Sequence, residues 1–484
     1  MQTSHVDIAI IGGGPGGYAT ALRASELGLS VVLFNREEKL GGTCLNRGCI
    51  PSKALITATR AIHNVHDAQR MGINATIENI DFGKLAEFKN NAVNAMTDGL
   101  ASLLAARKVT VIKGEASIIA DHRVKAVVDE ANGDDASVEI NADNIVIATG
   151  SRPRPLPGHP FEGDVIDSTQ ALSLPRFPKS AVIIGAGAVA VEFASMWNAA
   201  GVDVTMLIRR ERVLSHAHRR TSMALTRALA KDGVHILAHS HVSDIKDTTK
   251  STGAIQPTVS YATDKDETIR DVQADVVLAA IGRDPNTDFD WLRNTGIELD
   301  EHKLVKTDSF GRTSQPEIWA LGDITQGPAL AYRAFEQGVV IAESIAGRNP
   351  EPVDNNTVPE VVFSTPEFAS VGLTLEEAKT NPDIIEPKET VYPMMGNARI
   401  LMSGEAGSMS VVTGSYMDKP DTPVILGVHM LAPDAGDLIA EAEELVGNRV
   451  PLTDAARLIH PHPTFSEAFG EALLKADGRP LHTR

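Results

Sequence analysis

The only two cysteines in the chain of 484 residues, Cys44 and Cys49, lie five positions apart in GGTCLNRGCIPSK. A disulfide across so short a loop constrains the unfolded chain little, so stabilisation is a poor reason for the pair. A thiol becomes reactive when basic groups or a helix N-terminus lower its pKa. Arg47 and Lys53 supply such charge, and Pro51 indicates a helix start. The pair therefore indicates thiol–disulfide chemistry, and the alternative is two buried, inert side chains brought together by chance.

A strand, glycine-rich turn, helix and second strand follow one another twice, at residues 6–34 and 180–208. This order is the βαβ pattern of dinucleotide binding, in which glycines let backbone N–H groups approach a pyrophosphate at the helix N-terminus. The alternative for either copy is a packing turn without a ligand. The fingerprint residues are Gly12, Gly14 and Gly17 in the first copy and Gly185, Gly187 and Ala190 in the second.

The composition is that of a long globular chain. Its length predicts about three or four domains, and 43% apolar residues can fill large cores. No stretch approaches the ~20 apolar residues of a membrane span. The start MQTSHVDIAIIGGG indicates a first strand and not a signal peptide, so we expect a cytoplasmic protein. A net charge of −18 and a pI of 5.3 argue against binding to nucleic acid or an anionic membrane.

Further strands are predicted to close each copy, NIVIATGSRP at 144–153 and ADVVLAAIGRDPN at 274–286. Between them lie β-like segments (RVKAVVDE, SVEI) and polar turns at 131–136 and around 248–257. Proline and asparagine in 349–359 indicate a domain boundary. Beyond that point, strands (SMSVVTG, VILGVHML) mix with helices (AGDLIAEAEELVG, TDAARLI), which predicts an α+β domain.

The order of these motifs resembles the FAD-dependent pyridine nucleotide–disulfide oxidoreductases, and among them the branch that oxidises dihydrolipoamide. The matching segments are GGGPGGY, GGTCLNRGCIPSKAL, ATGSRP, the second fingerprint, GRDPNT, ALGD at 320–323 and HPHPTFSEA at 460–468. The resemblance implies an α/β fold with two Rossmann-like dinucleotide-binding domains and a C-terminal α+β dimerisation domain. The implied domains are 1–150 for FAD, 151–282 for NAD(P), 283–354 completing the FAD site, and 355–484 at the dimer interface.

The resemblance assigns unequal roles to the two thiols. It implies that Cys49 lies against the flavin as a charge-transfer thiolate and that Cys44 exchanges with the substrate disulfide. Lys53 and Glu192 match positions that pair beside the flavin and the nicotinamide; taken alone, they would be a surface cation and a helix-start anion. No metal site is predicted. The candidate cofactor-binding residues are Gly12, Gly14, Gly17, Asn35, Gly42, Thr43, Lys53, Thr149, Gly150, Asp323, Gly185, Gly187, Ala190, Arg209, Arg210 and Gly282.

A substrate thiol is mostly protonated at neutral pH, so the chemistry needs a general base. His462 is the candidate and Glu467 would orient its ring, as in the family's histidine–glutamate pair. In the family this pair comes from the partner subunit, which implies a homodimer with shared active sites. Pro463 follows His462, and we expect a cis bond at one X–Pro position here. A histidine between prolines is otherwise more often structural; His460 lies nearby but does not match the pair.

Both copies lack the acidic residue expected about twenty positions in, where it would bind ribose hydroxyls. Asn35 stands there in the first copy and can still hydrogen-bond a ribose, so we expect FAD binding to be retained. Ile208 stands there in the second, followed by Arg209 and Arg210, which favours a 2′-phosphate. We therefore expect use of NADP(H); the alternative is a solvated basic turn with NAD still bound.

The resulting hypothesis is a flavoprotein that oxidises protein-bound dihydrolipoamide through Cys44 and Cys49 and passes electrons to NAD(P)+. The absence of a third cysteine excludes relatives that relay electrons to an extra thiol pair. The alternatives are an NADPH-dependent reductase of a small disulfide and an NAD(P)H quinone reductase or diaphorase. A lipoyl-bearing protein of a 2-oxoacid dehydrogenase or glycine-cleavage assembly is the expected partner.

Overall fold

A computed structural model describes residues 4–129, 135–249, 255–264, 266–405 and 407–483. The strands are β1 (Ser4–Ile11), β2 (Val31–Asn35), β3 (Thr110–Lys113), β4 (Glu115–Ala120), β5 (Arg123–Asp129), β6 (Asp135–Ile147), β7 (Ser151–Pro153), β8 (Val165–Ile166), β9 (Ser180–Ile184), β10 (Asp203–Leu207), β11 (His235–Leu237), β12 (Ser240–Thr249), β13 (Ile255–Thr263), β14 (Asp266–Gln273), β15 (Val276–Ala279), β16 (Arg283–Pro285), β17 (Ile318–Ala320), β18 (Glu360–Val362), β19 (Glu367–Gly372), β20 (Ile384–Pro393), β21 (Ser408–Tyr416) and β22 (Val424–Ala432). The helices are α1 (Pro15–Glu26), α2 (Gly42–Arg47), α3 (Cys49–Asp67), α4 (Phe82–Ala106), α5 (Ser168–Leu172), α6 (Ala188–Ala199), α7 (Arg219–Lys231), α8 (Asp290–Asn294), α9 (Ala331–Ile345), α10 (Leu375–Thr380), α11 (Ala398–Ser403), α12 (Ala435–Gly447), α13 (Leu452–Ala455) and α14 (Glu467–Ala476).

The chain divides into two compact units, each assembled from three segments. Unit 1 comprises Met1–Leu55, Asn79–Arg154 and Arg283–Asn355. Unit 2 comprises Ile56–Glu78, Pro155–Gly282 and Asn356–Arg484. The division after Asn355 falls inside the proline- and asparagine-rich segment 349–359.

The sheet of unit 1 has the order β3-β2-β1-β6-β5-β4, with β17 also paired to β6. Strands β1, β2, β3, β6 and β17 pair in parallel, whereas β4, β5 and β6 form an antiparallel meander. Ile8 and Ile10 of β1 pack into one core cluster, and Ala9 and Ile11 pack into another. Because both faces of this strand are covered, it reads as a continuous apolar run without alternation.

Helix α1 crosses α9 at backbone distance, which small residues permit. A Cβ built on Gly338 would come within 2.8 Å of the Thr20 hydroxyl oxygen and 2.9 Å of the Gly16 carbonyl oxygen. Both glycines are therefore needed where the helices meet, and this packing fixes α1 over the sheet beside the first fingerprint turn.

Unit 2 contains a parallel sheet of order β11-β10-β9-β15-β8, which holds the second fingerprint. It also contains the antiparallel sheets β12-β13-β14 and β18-β19-β22-β21-β20. Helices α12 and α14 pack on the last of these, around buried Met409, Val428, Ile439 and Phe469. This arrangement positions the C-terminal segment that carries His462.

The structure confirms the predicted α/β fold and both βαβ copies, as well as the predicted strands and helices, with one exception. The segment TDAARLI forms only the single turn α13, because the chain must leave the helix before Pro461. The predicted turns at 131–136 and 248–257 lie largely outside the described residues. Within the described ranges, no helix has the length and apolarity needed to cross a membrane.

Candidate active site

The turn between β1 and α1 carries the first fingerprint. Gly12 has a φ of +117°, and a Cβ on it would overlap the Ala148 carbonyl oxygen. A Cβ on Gly17 would overlap the Gly12 carbonyl oxygen, so the helix starts as close to the turn as a backbone can. Gly14 caps α1 without a side-chain hydrogen bond, and the nearest atom to a Cβ built on it is the Gly42 Cα at 3.9 Å. The turn thus leaves both room and unsatisfied N–H groups for a pyrophosphate.

The glycine pair that precedes the thiols lies against this turn. Gly41 and Gly42 have φ values of +102° and +55°, which glycine adopts without strain. A Cβ on Gly42 would come within 2.7 Å of the Gly14 Cα. Helix α2, with Thr43 and Cys44 in its first turn, therefore starts directly beside the dinucleotide turn.

Cys49 is the first residue of α3, two positions before Pro51. A thiolate at that position is stabilised by the free N–H groups of the first helical turn. Cys44 and Cys49 are both free thiols here, and a hydrogen bond to Cys49 is the main cause that raises the pKa of the Cys44 thiol. Burial raises that pKa further, whereas the Lys53 ammonium, one turn along α3, lowers it. The environment therefore places negative charge on Cys49 and leaves Cys44 protonated.

Arg47, the other cation expected to act on the thiols, is held by Glu37 through both guanidinium nitrogens. The side chains are 34% and 24% exposed, so this is a bidentate, half-buried ion pair. It ties the end of α2 to the loop that follows β2. Lys53 is consequently the cation that the structure brings closest to acting on Cys44.

Tyr18 is a neighbour of the thiols that the sequence argument missed, although it ends the motif GGGPGGY. Burial raises the pKa of its phenol, and the charges of Cys44 and Cys49 raise it further. Its ring packs at 5.7 Å from that of Phe335. The phenol therefore stays neutral beside the redox pair.

Thr149, Gly150 and Asp323 lie in unit 1 at the ends of parallel strands. The Thr149 hydroxyl donates to the Asn286 carbonyl at 2.8 Å, and the Asn286 N–H donates to the Gly150 carbonyl at 2.8 Å. Asp323 accepts a hydrogen bond of 2.5 Å from the Ser151 hydroxyl. These contacts join the motifs ATGSRP, GRDPNT and ALGD at the carboxyl edge of the sheet, where α/β folds bind nucleotides.

Asn35 ends β2 with only 6% of its surface exposed. Its amide nitrogen donates to the carbonyls of Glu37 and Lys39 at 2.7 and 3.2 Å. The amide oxygen is left to accept a hydrogen bond, which is what a carboxylate would offer a ribose hydroxyl. An asparagine here thus serves the loop and the ribose with different atoms.

The second fingerprint repeats the backbone of the first. Gly185 has a φ of +139°, and a Cβ on it would overlap the Ala280 carbonyl oxygen. Gly187 caps α6 without a side-chain hydrogen bond, and a Cβ on it would have nothing within 4 Å. Ala190 is fully buried, and Gly282 has a φ of +126°. This turn, like the first, fits a pyrophosphate.

Glu192 lies on α6, with one carboxylate oxygen 3.1 Å from the Phe363 N–H that donates to it. It belongs to unit 2, whereas Lys53 belongs to unit 1. The two cysteines likewise belong to unit 1, and the predicted base pair belongs to unit 2.

The loop after β10 presents two arginines and no acid at the ribose position. Ile208 is fully buried, and its backbone pairs with Leu237 and Ser240. Arg209 and Arg210 are exposed. Arg212 differs from them because its guanidinium is held by Ser222, Ser215 and Glu211.

His462 and Glu467 form the predicted pair. The Nδ1 of His462 lies 2.6 Å from a Glu467 carboxylate oxygen, so Nδ1 carries the proton and Nε2 is left as the base. The side chain of His462 is 76% exposed and that of Glu467 is 18% exposed. The bond between His462 and Pro463 is cis, as predicted. His460 has a separate partner, Glu441, at 3.0 Å.

Comparison with known proteins begins with two family profiles that together span most of the chain. A profile of pyridine nucleotide-disulphide oxidoreductases matches residues 6–338, and a profile of their dimerisation domain matches residues 358–473. The chain belongs to the pyridine nucleotide-disulphide oxidoreductase family. Membership implies FAD and a pyridine nucleotide, and both fingerprint turns fit such a dinucleotide. The dimerisation domain of this family also supports a homodimer.

Individual members of the family match over the full length. The chain is 35% identical over 481 residues to a dihydrolipoyl dehydrogenase of Chlamydia pneumoniae, covering 99% of both chains. It is 38% identical over 480 residues to a dihydrolipoyl dehydrogenase of Geobacillus stearothermophilus, covering 99% of this chain and 97% of the relative. The crystal structure of LpdA from Mycobacterium tuberculosis superposes with a TM-score of 0.84 at 26% identity, covering 98% of this chain and 100% of LpdA.

Proposed function

We propose that the chain acts as a dihydrolipoyl dehydrogenase, oxidising a protein-bound dihydrolipoyl group and passing two electrons to NAD(P)+. The observation that carries the proposal is the arrangement of the two thiols, with Cys49 at the N-terminus of α3 and Cys44 hydrogen-bonded to it beside the first fingerprint turn. Full-length relatives named dihydrolipoyl dehydrogenase support the choice of substrate.

The proposed chemistry exchanges one disulfide for another. His462 Nε2 takes the proton of a substrate thiol, whose sulfur attacks Cys44 of the oxidised pair. The Cys44–Cys49 bond breaks, and Cys49 leaves as a thiolate stabilised by the α3 N-terminus. The second substrate thiol then attacks the mixed disulfide, which forms the lipoyl disulfide and frees Cys44. FAD bound at the unit 1 turn would supply the two-electron link between these thiols and the nicotinamide.

The remaining site residues take the roles that the family resemblance implies. Gly12, Gly14 and Gly17 would cradle the FAD pyrophosphate, and Gly185 and Gly187 that of the nicotinamide nucleotide. Lys53 and Glu192 would pair beside the flavin and the nicotinamide. Residues 1–150, 151–282, 283–354 and 355–484 would serve as the FAD, NAD(P), central and interface domains.

The test is a panel of substrates on one preparation: dihydrolipoamide, a dihydrolipoyl protein, glutathione disulfide and a quinone, each with both nicotinamide nucleotides. We expect kcat/KM for the dihydrolipoyl substrates to exceed that for glutathione disulfide by at least about 100-fold, because transition-state contacts set such ratios. A higher kcat/KM for glutathione disulfide would replace this proposal by a small-disulfide reductase.

We also propose that His462 acts on the cysteines of the partner subunit. Cys44→Ser and His462→Gln chains, each inactive alone, would then complement each other when subunits are exchanged. Random mixing gives half heterodimers, each with one intact site, so roughly a quarter of the wild-type activity should return. No recovery, with heterodimers confirmed by mass, would place both groups in one chain.

The nucleotide is proposed to be NADP(H) as well as NAD(H). Arg209 and Arg210 are exposed at the position where a 2′-phosphate would lie, and Ile208 offers no carboxylate to a 2′-hydroxyl. In the Arg209→Ala, Arg210→Ala double variant, kcat/KM for NADPH should fall about tenfold while that for NADH changes little. Arg227→Ala, an exposed arginine on α7, is the matched control. A strong preference for NADH that the double variant leaves unchanged would refute NADP(H) use.

A further inference from the structure

Asn397 is a buried side chain that contacts the predicted base pair, although it lies 70 residues from Glu467 in sequence. Only 3% of its surface is exposed. It is the N-cap of α11, and its side-chain oxygen accepts from the N–H groups of Arg399 and Ile400 at 2.9 and 3.1 Å. Capping alone would need no more than this oxygen, which serine or aspartate also provides.

The amide nitrogen of Asn397 has a different task. It donates to the Thr464 carbonyl at 2.9 Å and to Glu467 Oε1 at 3.1 Å. The orientation of the amide follows from its partners, since two are N–H donors and two can only accept. All four hydrogen-bonding positions of the side chain are thus filled, and rotating the amide would break every one of them.

Glu467 is in turn the hydrogen-bond partner of the exposed His462 ring. Its Oε2 faces His462 Nδ1 at 2.6 Å, while its Oε1 faces Asn397. The loop between them is held at a second point, where the Arg399 guanidinium lies 5.1 Å from the centre of the Phe465 ring. The segment 397–399 therefore fixes both the carboxylate and the loop that carries the imidazole.

We propose that Asn397 is a positioning residue for the His462–Glu467 base: its amide nitrogen locks the Glu467 carboxylate in the rotamer that orients the imidazole. The inference rests on the proposed function only in the choice of thiol substrate. A carboxylate that is fixed on one side offers its other oxygen to Nδ1 in a single direction, so Nε2 is aimed without help from further contacts.

The test compares the two half-reactions of the flavin-loaded enzyme in a stopped-flow instrument, using the thiol that gave the highest turnover in the substrate panel. Asn397→Ser keeps a capping oxygen and loses the donor; Asn397→Asp also keeps the size but turns an acceptor toward two acceptors. In both variants we expect reduction by the thiol to slow about 10- to 30-fold, less than the ~10²–10⁴ that a general base contributes. Reduction by NAD(P)H should stay within about twofold of wild type, because it needs no base.

Two controls separate positioning from stability. Thr374→Ala removes the N-cap of α10 in the same unit without touching the base pair, and should leave both half-reactions unchanged. Adding Asn397→Ser to Glu467→Gln should slow the thiol step by less than about twofold beyond Glu467→Gln alone, because the two residues act in series.

The outcomes distinguish the two claims. A wild-type rate for the thiol step in Asn397→Ser, or an additive effect on top of Glu467→Gln, overturns the positioning role and leaves the proposed function standing. A selective loss measured with a thiol other than a dihydrolipoyl group supports the positioning role and overturns the proposed substrate.

Discussion

The two fingerprint turns share one backbone and differ in what surrounds it. Both begin with a glycine of positive φ pressed against a carbonyl oxygen, Ala148 in unit 1 and Ala280 in unit 2. Both helices start at an uncapped glycine with nearly the same torsions, φ −76° and ψ −176° at Gly14 against φ −82° and ψ −177° at Gly187. The shared part is therefore the part that binds a pyrophosphate, which any dinucleotide has.

The differences lie at the ends of the second strands and in the following loops. After β2, Asn35 holds its own loop and the chain continues into the thiol helices. After β10, Ile208 is buried and two exposed arginines follow. The comparison teaches that the backbone of the turn selects a dinucleotide, whereas the residues just beyond it select which dinucleotide and what chemistry accompanies it.

Removing the outer thiol should separate the two units most sharply. In Cys44→Ser, oxidation of dihydrolipoamide should fall by at least about 10³-fold, because the mixed disulfide cannot form. Reduction of a dye by NAD(P)H should persist, since it depends on the two dinucleotide turns and not on the thiols. Steady-state assays of both activities check this, and surviving lipoamide turnover would contradict the role given to Cys44.

The third fingerprint position should separate the two turns. Gly17→Ala places a Cβ on the Gly12 carbonyl oxygen and should lower the free energy of unfolding by about 3 kcal/mol, with loss of bound flavin. Ala190→Gly, the reverse exchange in unit 2, should cost only about 1 kcal/mol of helix propensity. Denaturant melts and flavin content check both variants, and equal costs would show that the turns are interchangeable.

Acid should act on unit 2 through a buried histidine pair. The rings of His218 and His429 stack at 4.3 Å, with Glu389, Glu376 and Arg220 as the nearby charges. Burial, and then His218, lowers the pKa of His429 from 6.5 to about 3, and burial also lowers that of His218. Stability is thus complete above pH 6.5 and declines as the pH falls below it, because the unfolded chain takes up a proton that the folded ring refuses.

Between pH 7 and pH 5, His429 should account for a loss of about 2 kcal/mol in the free energy of unfolding. His429→Gln should remove that part of the pH dependence, although the variant is less stable at pH 7. Denaturant melts at both pH values provide the measurement. An unchanged pH dependence in the variant would show that another group controls acid stability.

The smallest expected effect comes from restoring the acid at the first ribose position. Asn35→Asp would leave the Glu37 and Lys39 carbonyls without their donor and should cost about 1–2 kcal/mol of stability. Arg210→Ala, at the corresponding loop of unit 2, should cost less than about 0.5 kcal/mol because its side chain is exposed. A more stable Asn35→Asp variant would mean that the asparagine is not needed by its loop.

The sequence determined the parts of this protein that depend on local spacing. The glycine fingerprints, the apolar strands and the neighbouring thiols each lie within about a dozen residues, where backbone sterics and periodicity decide the conformation. The same locality explains why the pairing of His462 with Glu467, five residues apart, could be predicted.

Only the tertiary structure decided contacts between residues distant in sequence. Nothing in the spacing places Asn397 on Glu467, stacks His218 on His429, or turns the amide of Asn35 away from the ribose side. Each of these depends on buried polar atoms finding partners, and the partner is set by how the sheets and helices pack rather than by the neighbouring residues.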